Sequence, residues 1–267
     1  MTQIEIEQNG AVLLAKITNP PQGFMDPETE MEVAALLDRV DANEDIRSVV
    51  FTGGMPGVFI RHYNVGVLAE TAAKMSARGM QFDTSRSVPE SPYHVCLRRM
   101  TESPVAFIAA LNGIAMGGGF ELALACDIRI ALDGDYDLGL PEINVGLLPG
   151  AGGTQRLPRL IGEGRAFEMI ARGRTVSPAE ALEWGIISEI VDRDVVARGM
   201  EIAEELSRKP MRAFRNIKQL MRRGLDRPLE EGLADERTLF CDVMVDGEAM
   251  ERMSELNVRQ RDIRDRD

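Results

Sequence analysis

Residues 104 to 132 read PVAFIAALNGIAMGGGFELALACDIRIAL. The unbroken apolar run from Pro104 to Leu111 has the length and bounds of a strand covered on both faces, and Asn112-Gly113 ends it. A short apolar helix is predicted from about Gly118 to Cys126, followed by a second strand over Ile128 to Leu132. Strand, helix and strand in this order, met repeatedly along the chain, predict an α/β fold with a parallel sheet and helices on its faces.

Toward the amino terminus, Arg47 to Phe51 reads as another buried strand, closed by Thr52-Gly53-Gly54. Before it, Asp26-Pro27 has the form of an N-cap with proline at the first helical position, and Met31, Ala34, Leu37 and Val40 follow at helical spacing. Ile4 and Ile6 alternate with polar residues, Asn9-Gly10 is a tight-turn dipeptide and Val12 to Ile17 resumes the apolar run, so a hairpin opens the chain. The polar stretch from Leu68 to Arg99 holds Pro89 and Pro92 and is expected to be loosely helical or looped. Ser177-Pro178-Ala179-Glu180 is a capping box, with Gly185 where its helix should stop. From Asp194 onward only helices are expected, over Met211 to Arg223, Pro228 to Val245 and Glu248 to Arg264. The expected organisation is a core over residues 1–200 that carries the site, and a helical region over 201–267 for oligomerisation and for covering that site.

With 267 residues and 44% hydrophobic content, the chain is able to bury a full core. A net charge of −12 disfavours a nucleic-acid partner, because such affinity rests on Lys and Arg neutralising phosphates. It leaves room for a small anionic ligand held by local dipoles. No apolar run approaches the roughly 20 residues of a membrane span, and MTQIEIEQNG has no basic segment ahead of an apolar one. Neither a span nor a signal peptide is expected, and the cytoplasm is the expected compartment. Cys96, Cys126 and Cys241 form no CxxC and are expected as buried, reduced thiols. Met75, Met80, Met100 and Met116 are expected to fill gaps in the core or a pocket.

Two segments carry candidate chemistry. In the first, Asn112 to Glu121, glycines let the backbone approach a ligand closely, and free N–H groups at a helix start favour an oxygen bearing negative charge. Read alone, the segment also serves as a tight turn with Glu121 complementing the helix dipole. In the second, Leu140 to Thr154, Glu142 sits in an apolar setting before a glycine-rich turn, where its pKa should rise toward the range needed for proton transfer. Alone, Glu142 also fits a helix start or an ion pair. No GxxxxGK[ST], GxGxxG or GxSxG is present, and His62 and His94 are the only histidines, so nucleotide, serine-hydrolase and multi-histidine zinc sites are disfavoured and no metal is expected.

Together, GIAMGGGFELALACD (113–127) and LGLPEINVGLLPGAGGTQRLPRLIG (138–162) resemble the signature region of the crotonase superfamily, the enoyl-CoA hydratase/isomerase family. The likeness is nearly continuous from Pro104 to Ile190 and weaker at the amino-terminal hairpin and at Pro228 to Glu236. It implies a spiral of repeated β-β-α turns with a C-terminal helical region, assembled as a homotrimer or a dimer of trimers. It further implies an acyl-CoA substrate whose thioester oxygen is held by the backbone N–H groups of Tyr63 and Gly118. Coenzyme A enters as part of that substrate, with no separate cofactor. On this resemblance, Glu121 assists deprotonation of a water that attacks C3 of a 2-enoyl-CoA, and Glu142 delivers a proton to C2. Arg61, His62, Asn64, Val65, Gly117, Pro141 and Gly150 fall where substrate or CoA would be contacted.

The chain departs from the family where most members carry something like F-S-A-G-A-D and it has Phe59-Ile60-Arg61-His62-Tyr63-Asn64. The segment from Asn64 to Pro104 is also longer than usual, and the basic residue after the amino-terminal Asn19-Pro20 is missing. CoA phosphates are then expected at Arg61 or the Arg-rich tail from Arg252 to Arg264. Hydration or dehydration is the leading expectation because both glutamates are kept. Isomerisation, another enolate-forming reaction such as decarboxylation, and noncatalytic acyl-CoA binding are the alternatives.

Overall fold

The expected hairpin forms, with its turn one residue later than Asn9-Gly10: β1 (Ile4–Asn9) pairs antiparallel with β2 (Val12–Ile17), Asn9 lies opposite Val12, and Gly10-Ala11 makes the turn with Gly10 at φ 58°. The computed structural model describes residues 2–259, 262 and 263. In α1 (Pro27–Asp41) the Asp26 carboxylate accepts from the N–H groups of Glu28 and Thr29, and the Thr29 side chain returns to the Asp26 backbone. The buried face runs through Glu30, Val33, Leu36, Leu37 and Val40. Met31, placed on that face by spacing, is 62% exposed instead. Successive helical residues are about 100° apart, so the residue after Glu30 leaves the stripe that Glu30, Val33 and Leu37 define.

Three β-β-α turns follow. The first is β3 (Ser48–Gly53), β4 (Gly57–Ile60), then α2 (Val65–Ala77) and α3 (Pro92–Glu102). The second is β5 (Ala106–Leu111), β6 (Gly113–Met116) and α4 (Gly117–Ala125). The third is β7 (Ile128–Leu132), β8 (Leu138–Gly139), a 3-10 turn over Glu142–Val145, then α5 (Gly153–Ile161) and α6 (Glu163–Ala171). The chain continues through β9 (Thr175–Val176), α7 (Pro178–Glu183), β10 (Glu189–Val191) and α8 (Val195–Ser207).

The first strand of each turn joins a six-stranded sheet ordered β1-β2-β3-β5-β7-β10, and the second joins a four-stranded sheet ordered β4-β6-β8-β9. This is the expected spiral. Asn112-Gly113 does end β5 at Leu111, and the short second strand β6 starts directly at Gly113, which the sequence pattern does not predict. The changeover between sheets is tight: a Cβ on Gly53 would collide with the Val58 carbonyl, and one on Gly113 with the Gly57 carbonyl. Phe51 and Phe107, wholly buried on adjacent strands, stack with centroids 6.2 Å apart, a pairing worth about 1 kcal/mol beyond burial.

α8 lies on the sheet where Gly199 lets it approach, since a Cβ there would sit 3.2 Å from Ala110 Cβ and Val50 Cγ1. The Ser48 hydroxyl also donates to the Ala203 carbonyl at 3.0 Å. The first compact unit therefore runs on to Ser207, past the expected boundary at 200, and the second begins at Arg208.

The second unit holds α9 (Met211–Gly224), α10 (Leu229–Met244) and α11 (Gly247–Arg259). Arg212 ties α9 to α10, donating to Asp242 at 2.5 Å and to Asp246 at 3.1 Å. Of the helix expected to reach Arg264, residues 260, 261 and 264 lie outside the described residues.

Cys96 and Cys126 are buried as expected, but Cys241 is exposed, because α10 has no fully buried residue. Met75, in α2, which buries none of its residues, and Met80, beyond its end, are exposed too, whereas Met100 is buried and Met116 lines the cavity described below. Among the described residues no helix is long and apolar enough to cross a membrane.

Candidate active site

The register of the small sheet assembles the site. β4 and β6 run parallel with Ile60 beside Ala115, and β6 and β8 with Ala115 beside Leu138. Three residues further along each strand direction stand Tyr63, Gly118 and Pro141, one rung that no strand assignment includes. Local contacts agree: a Cβ on Gly118 would lie 3.3 Å from Tyr63 Cβ, and one on Gly117 would lie 3.4 Å from Glu142 Oε1. Gly117 has φ 50°, a left-handed conformation that favours glycine.

Two backbone donors meet here. Gly118 is the second residue of α4, and the first four N–H groups of a helix have no partner within it. Tyr63 pairs with Met25 in a parallel bridge made by its neighbours: the Met25 N–H donates to the His62 carbonyl at 2.9 Å, and the Asn64 N–H donates to the Met25 carbonyl at 2.7 Å. That pattern turns the N–H of Tyr63 to the other side, toward Gly118.

A cavity of about 590 Å³ opens at this rung. Glu121, on the first turns of α4, is 2% exposed, and its Oε1 accepts from the N–H groups of Ala151 at 2.7 Å and Gly153 at 2.8 Å. Burial pushes its pKa up, and those two hydrogen bonds hold the rise back. A Cβ on Gly153 would come within 3.1 Å of Glu121 Oε1 and 2.7 Å of Leu140 Cδ1, so glycine leaves the Glu121 cradle undisturbed. Glu142 opens the 3-10 turn; its Oε2 is buried without a hydrogen-bond partner among the described residues. Burial first, then the nearby Glu121 charge, raise its pKa to about 7. One acid is cradled by two N–H donors, and the other has no hydrogen-bond partner on Oε2.

Of the residues singled out in the sequence, His62, Tyr63, Val65, Gly117, Gly118, Glu121, Pro141, Glu142 and Gly150 line this cavity. Arg61 and Asn64 do not. The Arg61 Nε donates to the Gln22 carbonyl at 2.8 Å, and the Asn64 side chain accepts from the Gly66 N–H at 3.0 Å, capping α2.

The lining also holds residues that the sequence did not mark for the site, among them Glu30, Tyr93 and His94. Glu30 left a readable trace, a carboxylate at i−3 and i−7 to the buried Val33 and Leu37 on the core face of α1. Tyr93 and His94 left none, because the excursion of 78–91 hides that α3 returns to the site. Among the described residues no group of three His, Cys, Asp or Glu is placed to hold a metal ion.

Comparison with known proteins gives a consistent result. The family model described as enoyl-CoA hydratase/isomerase matches residues 7–258. Solved structures similar to this chain include DspI of Pseudomonas aeruginosa, 31% identical with a TM-score of 0.85, covering 100% of this chain and 97% of that one. An enoyl-CoA hydratase from Bacillus anthracis is 29% identical with a TM-score of 0.84, covering 97% of each chain. The fatty acid oxidation complex subunit alpha of Idiomarina loihiensis is 32% identical over 217 residues, which are 78% of this chain and 28% of that relative. The chain thus spans little more than a quarter of that relative's length.

Proposed function

Because the chain belongs to the enoyl-CoA hydratase/isomerase family, we propose that it adds water to, or removes it from, a 2-enoyl-CoA thioester. The observation that carries the reading is the unequal treatment of two neighbouring carboxyls. Glu121, held by two N–H groups, is the better candidate for the ionised form. Glu142, half-buried, with no hydrogen-bond partner on Oε2 and at about 7, holds a proton on a large share of molecules at neutral pH.

In the hydration direction, Glu121 takes a proton from water as its oxygen bonds to C3. The C2–C3 π pair moves toward C1, and the charge arriving on the thioester oxygen is met by the N–H groups of Tyr63 and Gly118. Collapse of that enolate draws the Glu142 proton onto C2. Each such donor contributes about 3 kcal/mol to the transition state. The substrate brings coenzyme A with it, and the reading asks for no other cofactor. Assembly as a homotrimer or dimer of trimers is part of the same proposal, and sedimentation would test it against the 29.5 kDa protomer.

The test is loss of enoyl-thioester absorbance on a panel of 2-enoyl-CoAs, with Glu121→Gln and Glu142→Gln in parallel. We expect each variant to lose at least about 100-fold in kcat while still binding CoA thioesters. Inactivity of the wild-type protein on the whole panel, with binding retained, sinks the hydratase reading. Isomerisation is the second reading, favoured by the lack of any hydrogen-bond anchor on Glu142 Oε2, which suits a single acid shuttling a proton between C2 and C4. It predicts turnover of a 3-enoyl-CoA that survives Glu121→Gln.

A further inference from the structure

The N–H groups assigned to the thioester oxygen sit on a glycine run and beside an isolated bridge, and a tyrosine hydroxyl stands near each. The Tyr93 hydroxyl donates to the carbonyl of Gly118 at 2.5 Å. The Tyr63 phenol and the Glu30 carboxylate line the same cavity, and the Glu30 charge bears on the phenol. Tyr93 is 4% exposed and Glu30 is 8% exposed, and both lie on helices that pack against one another, α3 and α1. Burial raises both phenols well above their ordinary pKa, so each stays protonated and able to donate. The next residue, His94, donates from Nε2 to the Gly150 carbonyl at 2.6 Å, beside the Ala151 N–H that holds Glu121. α3 thus reaches both the glycine run and the turn that cradles the acid.

We propose that Tyr93 and Glu30 are positioning residues of the oxyanion hole, Tyr93 holding Gly118 by its carbonyl and Glu30 holding Tyr63 by its hydroxyl, so that together they set the separation of the two N–H donors. The inference rests on the assignment of Tyr63 and Gly118 as donors, but not on which reaction follows enolate formation. Neither residue is asked to touch the thioester. Glycines impose little conformational preference, and misplacement of a catalytic group by about 1 Å costs on the order of 100-fold in rate.

The test binds a chromophoric aryl-enoyl-CoA to the protein and reads the red shift of its absorption, which reports polarisation of the thioester carbonyl whether or not turnover occurs. Tyr93→Phe, Tyr63→Phe and Glu30→Leu should each bind the probe with less of the wild-type shift. Each should also lower kcat about 10- to 100-fold with KM within about threefold. Glu30→Gln, which keeps an acceptor for the phenol, should retain shift and rate within about threefold. Adding Glu30→Leu to Tyr63→Phe should cost little more, because the two remove one link. Variants that bind the probe with the full wild-type shift overturn the proposal, as does equal damage from Glu30→Gln and Glu30→Leu. A wild-type protein that binds the probe without any shift removes the donor assignment, and the positioning role with it. A protein that shifts the probe yet hydrates nothing leaves the positioning role standing and removes only the hydratase reading. Tyr63→Phe, the loss of one oxygen from a half-buried ring, keeps the test open if Tyr93→Phe fails to fold.

Discussion

Replacing Glu142 with glutamine should abolish turnover and at the same time stabilise the protein, but only at high pH. The carboxyl is raised from 4.5 to about 7 by burial and by the Glu121 charge, so the folded state prefers its neutral form. At 1.36 kcal/mol per pH unit, that difference corresponds to roughly 3.4 kcal/mol. Glu142 is half-buried and partly screened by solvent, which brings the expected effect to about 2 kcal/mol. The sign follows from linkage. A raised folded-state pKa means the folded protein binds the proton more tightly, so this favourable contribution is complete below about 4.5 and is lost as pH rises through about 7. Glutamine keeps the shape and never ionises, so its advantage should be absent at pH 4.5 and near its full value at pH 8.5. In urea unfolding followed by circular dichroism, Glu142→Gln and wild type should share a midpoint at the lower pH. At the higher one they should separate by about 2 kcal/mol, or roughly 4–8 °C in Tm. A variant no more stable than wild type at pH 8.5, or equally favoured at both pH values, would refute the description of Glu142 as a half-buried acid whose Oε2 has no hydrogen-bond partner.

The same acid sets a pH profile: kcat/KM for hydration should fall above about pH 7 as Glu142 loses the proton it donates, and for dehydration below it, which initial rates in both directions would check. Gly117→Ala should cost about 1–2 kcal/mol of stability from its left-handed backbone, and lower kcat because the new methyl faces Glu142 Oε1, readable by calorimetry and assay together. Arg61→Ala should change KM for an acyl-CoA by less than about threefold, since its guanidinium is engaged with the Gln22 carbonyl; a tenfold rise would return a CoA phosphate to Arg61. With a thiol reagent under native conditions, one cysteine per chain, Cys241, should react quickly, while Cys96, pushed up to about 11 by burial, and Cys126 wait for unfolding.

Elements with a strong local signature were legible. Asn9-Gly10, Asp26-Pro27 and Ser177 to Glu180 each satisfy backbone groups within a few residues, so their outcome depends little on the rest of the chain. β4, β6 and β8 were not, because strands of two to four residues display no period, and their existence depends on the neighbouring turn. The same division runs through the site. Glu121, Glu142 and Gly118 stand in two contiguous motifs and could be named from them. Tyr93 reaches Gly118 through a helix that starts after a long exposed excursion, a meeting that only the packing of α3 reveals. Met31 and Cys241 failed for a simpler reason: hydrophobic character alone does not say which face of a helix is covered.

The shared rung of Tyr63, Gly118 and Pro141 resembles equivalent marks on successive turns of a screw thread, whose pitch is the spacing between hydrogen-bonded strands, about 4.8 Å. Side-chain replacement alters what is mounted on the thread and leaves the pitch alone. Residues 78–90, exposed throughout, sit outside it and do not line the cavity, so that excursion can lengthen or shorten while the gauge between the two amides proposed to bind the thioester oxygen stays constant.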